Sequence, residues 1–132
     1  MPNQRVLASG VFDILHPGHL HYLEGAKRHG DHLIVVVTSD GHAEQTKRKP
    51  MHAEQDRARM VEALEVVDEV LIGKYPFDLL GTTRQARPDV IALGHDQPFE
   101  PESLARELSE AGIKVRVVRI SRSENATSTS AL

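Results

Sequence analysis

Apolar and polar positions alternate in blocks along this chain. Five short runs rich in branched apolar residues are bounded by glycine or polar residues, and they predict strands over residues 5–12, 33–38, 69–72, 89–93 and 114–120. Apolar residues at helical spacing predict helices over residues 18–28, 53–65, 78–86 and 101–111, while residues 39–52 form a polar connection. This alternation predicts a parallel sheet with helices on both faces, a doubly wound α/β fold.

Length, charge and cysteine content limit the classes of protein to consider. The 132 residues suffice for one domain, residues 1–132, and the net charge of −3 argues against a nucleic-acid partner. The absence of cysteine excludes a disulfide framework and thiol catalysis. No apolar run of about 18 residues and no signal-peptide pattern occurs. We therefore expect a cytoplasmic protein that binds no membrane.

The connection between the first strand and the first helix, residues 10–19, carries the strongest chemical signal. Ligands of doubly wound sheets bind at the carboxyl ends of the strands, and the amino end of a helix favours an anion. His16 and His19 add side-chain donors there, which suits the negative transition state of phosphoryl transfer.

Two other interpretations of these histidines stay open. The pair could ligate zinc, although the chain lacks cysteine and an obvious second ligand pair, so we predict no protein-held metal. Alternatively, His16 could serve only as a helix cap. The remaining histidines outside this turn and the 94–99 region have the pattern of surface residues: His21, His29, His32, His42 and His52.

A basic segment, Lys47-Arg-Lys-Pro50, follows the second strand, and Arg57 and Arg59 follow on the next predicted helix. Charged runs usually face water, so a solvated loop is one interpretation. The other is a mobile cationic lid that closes over phosphates at the strand ends.

The last residues, 122–132, are rich in serine and threonine and contain no periodic apolar positions. Taken alone, this composition is typical of a disordered tail.

The stretch Gly-Val-Phe-Asp-Ile-Leu-His-Pro-Gly-His resembles the signature of the cytidylyltransferase-like nucleotidyltransferases, whose His-x-Gly-His is shared with class I aminoacyl-tRNA synthetases. The resemblance covers almost the whole chain and implies a Rossmann-like five-stranded sheet, a homodimer, and a nucleoside triphosphate bound with Mg²⁺ or another divalent cation. The catalytic residues that it implies are His16, His19, Lys49 and Arg57. The nucleotide-binding residues that it implies are Gly10, Val11, Phe12, Asp13, His16, Gly18, His19, Gly94, Asp96, Arg122, Thr127, Ser128 and Thr129, with Ser130 as a further candidate.

Residues 92–99, Ala-Leu-Gly-His-Asp-Gln-Pro-Phe, follow the fourth predicted strand. They resemble the Leu-Gly-x-Asp-Gln of archaeal FAD synthases, whereas glycerol-3-phosphate cytidylyltransferases usually have Met-Gly-Asp-Asp-Trp there and this chain has no tryptophan. An Asx-type turn before Pro98 is the purely structural alternative.

The resemblance thus implies an enzyme that transfers AMP from ATP to FMN and releases pyrophosphate. The residues expected to bind the acceptor are Asp40, Lys47, Arg48, His95 and Gln97. Two alternatives stay open. One is a CTP-dependent cytidylyltransferase acting on glycerol 3-phosphate or another alcohol phosphate, and the other is a nucleotide-binding protein without turnover.

Overall fold

The fold is that of a computed structural model, which describes residues 4–46, 49–76 and 78–121. Five parallel strands form one sheet in the order β3-β2-β1-β4-β5. The strands are β1 (Arg5–Gly10), β2 (His32–Val37), β3 (Glu69–Ile72), β4 (Val90–Leu93) and β5 (Arg116–Arg119). The helices are α1 (Pro17–Lys27), α2 (Asp40–Thr46), α3 (Glu54–Glu62), α4 (Leu79–Ala86) and α5 (Pro101–Glu110).

Each face of the sheet has its own apolar core. Along β1 the side chains alternate, so Val6 and Ala8 join the core with α1 and α3, and Leu7 joins the core with α4 and α5. Strand β2 is almost entirely buried, as expected for a central parallel strand covered on both faces. The predicted doubly wound α/β architecture with helices on both faces is confirmed.

The main error of the sequence prediction is helix α2. Its seven residues lie in the segment predicted to be only a polar connection. In the described part of this helix only Ala43 is buried, so no apolar period marks it. It begins where the Ser39 Oγ accepts a hydrogen bond from the His42 N–H at 3.1 Å. Elsewhere the predicted strand and helix ends differ from the observed ones by at most three residues, and β3 has the predicted bounds.

Strands β1 and β4 separate toward their carboxyl ends. They pair only at Val6 with Val90 and at Leu7 with Ile91. Beyond these pairs the Tyr22 phenol lies between the strands, accepting from the Ser9 N–H at 3.2 Å and donating to the Ala92 carbonyl at 2.7 Å. Burial raises the pKa of Tyr22 well above its ordinary value, so the phenol keeps its proton. The strand order reverses at this separation, which is where doubly wound sheets bind ligands.

Candidate active site

The two histidines of residues 10–19 cap helix α1 together. His16 is the N-cap, and its Nδ1 accepts a hydrogen bond from the Gly18 N–H at 3.0 Å. The His19 Nδ1 accepts in turn from the His16 N–H at 3.3 Å, which completes a capping box. His16 is therefore a helix cap, which is compatible with a chemical role, and the interpretation that it is only a cap stays open.

The capping box also fixes how each ring presents its proton. A neutral imidazole whose Nδ1 accepts a hydrogen bond carries its proton on Nε2. The two rings are stacked, with centroids 3.9 Å apart and planes inclined by 28°. Two Nε2–H donors on neighbouring parallel rings are thus held at the amino end of a helix, the geometry needed to stabilise an oxyanion.

The Phe12 side chain packs against the histidine pair. Its buried ring meets His19 edge-on, with centroids 5.3 Å apart, and its backbone has the unusual φ of 52°. A Cβ at Gly10 would lie 2.7 Å from the Phe12 ring, and a Cβ at Gly18 would lie 2.8 Å from the His16 ring. These glycines therefore let the aromatic rings approach the backbone. Their contact with a nucleotide stays a prediction.

Asp13 connects the turn to the segment that follows the basic loop. Its two carboxylate oxygens accept from the Met51 N–H at 2.8 Å and the His52 N–H at 2.9 Å. The hydrogen bond from Met51 is the largest influence that holds the pKa of Asp13 below its ordinary value. Asp13 thus joins the residues directly after the predicted lid to the turn that carries the histidines, while its predicted contact with the nucleotide stays untested.

Arg57 is completely buried and acts from inside the protein. Its guanidinium donates to the carbonyls of His52 at 3.0 Å and Val11 at 2.7 Å, and to the Asp40 Oδ1 at 2.6 Å. In this structure the Arg57 guanidinium is enclosed and is engaged by these three oxygens, one of which belongs to the predicted acceptor residue Asp40. The predicted contact of Arg57 with phosphate stays a prediction.

The predicted lid is described only in part. Lys49 is exposed after α2. Lys47 and Arg48 lie outside the described residues, as do the late candidates Arg122, Thr127, Ser128, Thr129 and Ser130. Their predicted roles therefore stay predictions.

Residues 94–99, here named the 94–99 loop, follow β4 at the same edge of the sheet. The Gln97 side chain accepts from the Gly94 N–H at 2.9 Å and donates to the carbonyl and hydroxyl oxygens of Ser9, each at 3.3 Å. Gln97 therefore joins the loop to β1, and its predicted contact with the acceptor stays a prediction. His95 and Asp96 are exposed, and their predicted roles stay open.

Sequence reasoning missed Arg119, the last residue of β5. Its guanidinium donates to the carbonyls of Gly94 at 2.7 Å, Gln97 at 2.9 Å and Phe99. No sequence signal marks such a residue, because its partners are backbone atoms and it reads as an ordinary strand position.

Within residues 4–46, 49–76 and 78–121, no three His, Asp or Glu side chains are grouped as metal ligands. In the same ranges, no helix has the length and apolar character needed to cross a membrane.

Comparison with known proteins identifies the family. A family model described as cytidylyltransferase-like matches residues 7–132. The chain belongs to this family. The FAD synthase of Aciduliprofundum boonei is 46% identical over 118 residues, which cover 89% of this chain and 78% of that protein. The FAD synthase of Ferroglobus placidus is 46% identical over 122 residues, which cover 92% and 79%.

Two solved structures superpose on this chain and share its fold. A Thermoplasma volcanium protein described as a lipopolysaccharide core biosynthesis protein superposes with a TM-score of 0.89 at 41% identity, covering 92% of this chain and 99% of that one. The pantothenate synthetase of Thermus thermophilus superposes with a TM-score of 0.62 at 19% identity, covering 94% and 58%, and shares the fold alone. This cytidylyltransferase-like protein is a nucleotidyltransferase, as its sequence resemblance implied.

Proposed function

We propose that this nucleotidyltransferase is an FAD synthase, which transfers AMP from ATP to FMN and releases pyrophosphate. The histidine capping box carries the proposal for the chemistry, because it holds two stacked imidazoles, each with its Nδ1 engaged by a backbone N–H, side by side at the start of α1. Support for the substrates comes from relatives named FAD synthase at 46% identity and from the Leu93-Gly-His-Asp-Gln97 segment.

The proposed reaction is a single in-line displacement. A phosphate oxygen of FMN forms a bond to the α-phosphorus of ATP, and the bond from that phosphorus to the bridging oxygen of the β-phosphate breaks. His16 and His19 donate hydrogen bonds to the charge that develops on the transferred group. No general base is required, because a phosphomonoester is already largely ionised near neutral pH.

Cationic side chains and hydroxyls complete the proposed site. Lys49, Lys47 and Arg48 would neutralise the phosphates from the lid. The late segment would bind the triphosphate through Arg122, Thr127, Ser128 and Thr129.

Mg²⁺ bound to the triphosphate would supply further charge neutralisation. Such ions take most of their ligands from phosphates and water, so the proposed site does not require a cluster of protein carboxylates, and none is grouped among the described residues. The homodimer implied by the resemblance is part of the proposal and can be checked by light scattering.

The test is pyrophosphate release with Mg²⁺ from the purified protein, crossing ATP and CTP against FMN and glycerol 3-phosphate, with products identified by mass. FAD from ATP and FMN alone is the expected result. A CDP-alcohol from CTP would replace this proposal with the cytidylyltransferase alternative. No product from any pair would favour a nucleotide-binding protein without turnover.

A further inference from the structure

Arg119 holds the 94–99 loop by its backbone from the neighbouring strand. Three carbonyls along six residues, those of Gly94, Gln97 and Phe99, converge on one guanidinium. Hydrogen bonds from a charged donor are stronger than neutral ones, and the planar fork of arginine can serve several acceptors at once. Lysine offers a point charge without that fork.

The loop has few other means to fix its own peptide groups. The Gln97 N–H makes a turn bond to the Gly94 carbonyl at 3.2 Å, and Pro98 has no N–H to donate. Gln97 ties the start of the loop to Ser9 on β1. Arg119 contacts the loop from β5. Of the Gln97 and Arg119 side chains, only that of Arg119 forms a hydrogen bond at the Phe99 end of the loop.

Holding a carbonyl also orients the next amide. In a trans peptide the N–H of one residue points opposite to the C=O of the residue before it. A Gly94 carbonyl directed at Arg119 therefore fixes the direction of the His95 N–H, and with it the start of the segment that carries Asp96. Removing Arg119 would take away the shorter of the two hydrogen bonds that hold this carbonyl and leave the turn bond from the Gln97 N–H.

The charge of Arg119 has a second consequence. Within the described parts of the chain, its guanidinium contacts only carbonyl oxygens and forms no ion pair, so its positive charge is not cancelled by a carboxylate. The loop that Arg119 holds carries Gly94 and Asp96, which are predicted to bind the nucleotide.

We infer that Arg119 is a positioning residue for nucleotide recognition, which holds the 94–99 loop in the conformation that accepts the nucleoside triphosphate. The inference rests on the proposed function for the assignment of this loop to the nucleotide. It predicts a larger effect on the nucleotide than on the acceptor, because Arg119 holds the backbone that runs from Gly94 to Asp96, two residues predicted to bind the nucleotide. It does not contact the side chains of His95 and Gln97, which are predicted to bind the acceptor.

The test compares Arg119→Gln and Arg119→Lys with the matched control Arg116→Gln, which removes a cation from the same exposed strand without touching the loop. For Arg119→Gln we expect the KM for ATP to rise about tenfold, as for the loss of one or two charged hydrogen bonds. The KM for FMN should change less than about twofold and kcat less than about threefold. Arg119→Lys should recover only part of the ATP affinity, and Arg116→Gln should match the wild type.

Three results would overturn the inference. The first is an unchanged KM for ATP in Arg119→Gln. The second is an equal rise in both KM values together with a lower melting temperature, which indicates a merely structural role. The third is full recovery by Arg119→Lys, which indicates that charge alone suffices.

Calorimetric titration with ATP in the absence of acceptor separates this inference from the proposed function. If the wild type makes no FAD yet binds ATP, the proposed function fails while weaker ATP binding by Arg119→Gln still supports the inference. Equal ATP binding by wild type and Arg119→Gln contradicts the inference, whichever acceptor is used.

Discussion

Two arginines hold two loops at the same edge of the sheet, and they differ in burial. Arg57 lies wholly inside the protein, pairs with Asp40, and donates to the carbonyls of Val11 and His52. Arg119 lies at the surface and donates to three carbonyls of the 94–99 loop. The same guanidinium chemistry therefore supports the turn before α1 from within and the 94–99 loop from outside.

The difference in burial assigns different tasks to the two loops. A buried charge that loses its partners costs several kcal/mol, whereas exposed polar contacts contribute little to stability. The buried contacts tie down the turn that carries the histidines, which suits a group that must be preorganised for a transition state. We expect the 94–99 loop to tolerate change without unfolding of the protein, which suits substrate selection.

The largest effect is expected for His16→Asn, a variant that keeps the helix cap but removes the imidazole. Asparagine is among the best N-cap residues, so it can keep the bond from the Gly18 N–H, but it lacks the Nε2–H donor. We expect kcat to fall about 10²-fold or more, with little change in melting temperature. Steady-state kinetics and thermal unfolding measure the two effects. His21→Asn on the same helix is the control, and an unchanged kcat in His16→Asn would leave His16 as a cap alone.

The next effect contrasts the two arginines directly. Arg57→Met leaves Asp40 and two carbonyls without their donor, and we expect a loss of about 3 kcal/mol in the free energy of unfolding, or about 10 °C in melting temperature. Arg119→Gln should lose less than about 1 kcal/mol, because its contacts are exposed. Urea unfolding of both variants checks the contrast. Equal losses would remove the distinction between an internal and an external support.

A smaller effect is expected where the two strands that carry these loops separate. Tyr22→Phe removes the hydroxyl that bridges Ser9 on β1 and Ala92 on β4, leaving the partly buried Ser9 N–H and Ala92 carbonyl each short of one partner. We expect a loss of about 1–3 kcal/mol in unfolding free energy and a modest fall in activity. Tyr75→Phe, at a largely exposed tyrosine, is the matched control. Equal stability of both variants would show that the bridge is dispensable.

The last prediction concerns pH and Asp13. Hydrogen bonds hold the pKa of Asp13 in the folded protein below its ordinary value. The stability that the Asp13 carboxylate contributes is therefore fully present above the unfolded pKa of about 4, and it is lost as the pH falls through the folded pKa. The wild type should therefore be more stable than Asp13→Asn at neutral pH, and this difference in stability should become smaller on acidification below about pH 4. Melting temperatures across this range test it. A gap independent of pH would mean that the carboxylate charge does not hold the Met51 and His52 amides.

Much of the fold was predictable because buried apolar residues recur in the sequence with the pattern of a strand or a helix. The branched apolar runs predicted all five strands, with β3 at its observed bounds, and the alternation with helices predicted two covered faces. Helix α2 was not predictable, because a seven-residue helix whose one buried residue in the described part is Ala43 has no apolar stripe. Leu20 and Met60 occur at helical spacing in the sequence, but both side chains are exposed and belong to neither core.

What the sequence by itself determined was the type of sheet, the position of the turn before α1, and the pair of histidines whose spacing of three residues matches a capping box. Only the tertiary structure decided that Arg57 faces inward, that Gln97 joins two strands, and that Arg119 holds a loop. The physical reason is the same in each case. Their partners include backbone oxygens, which every residue possesses, so which carbonyls meet a given side chain depends on the folded path of the chain and leaves no mark in the order of residues.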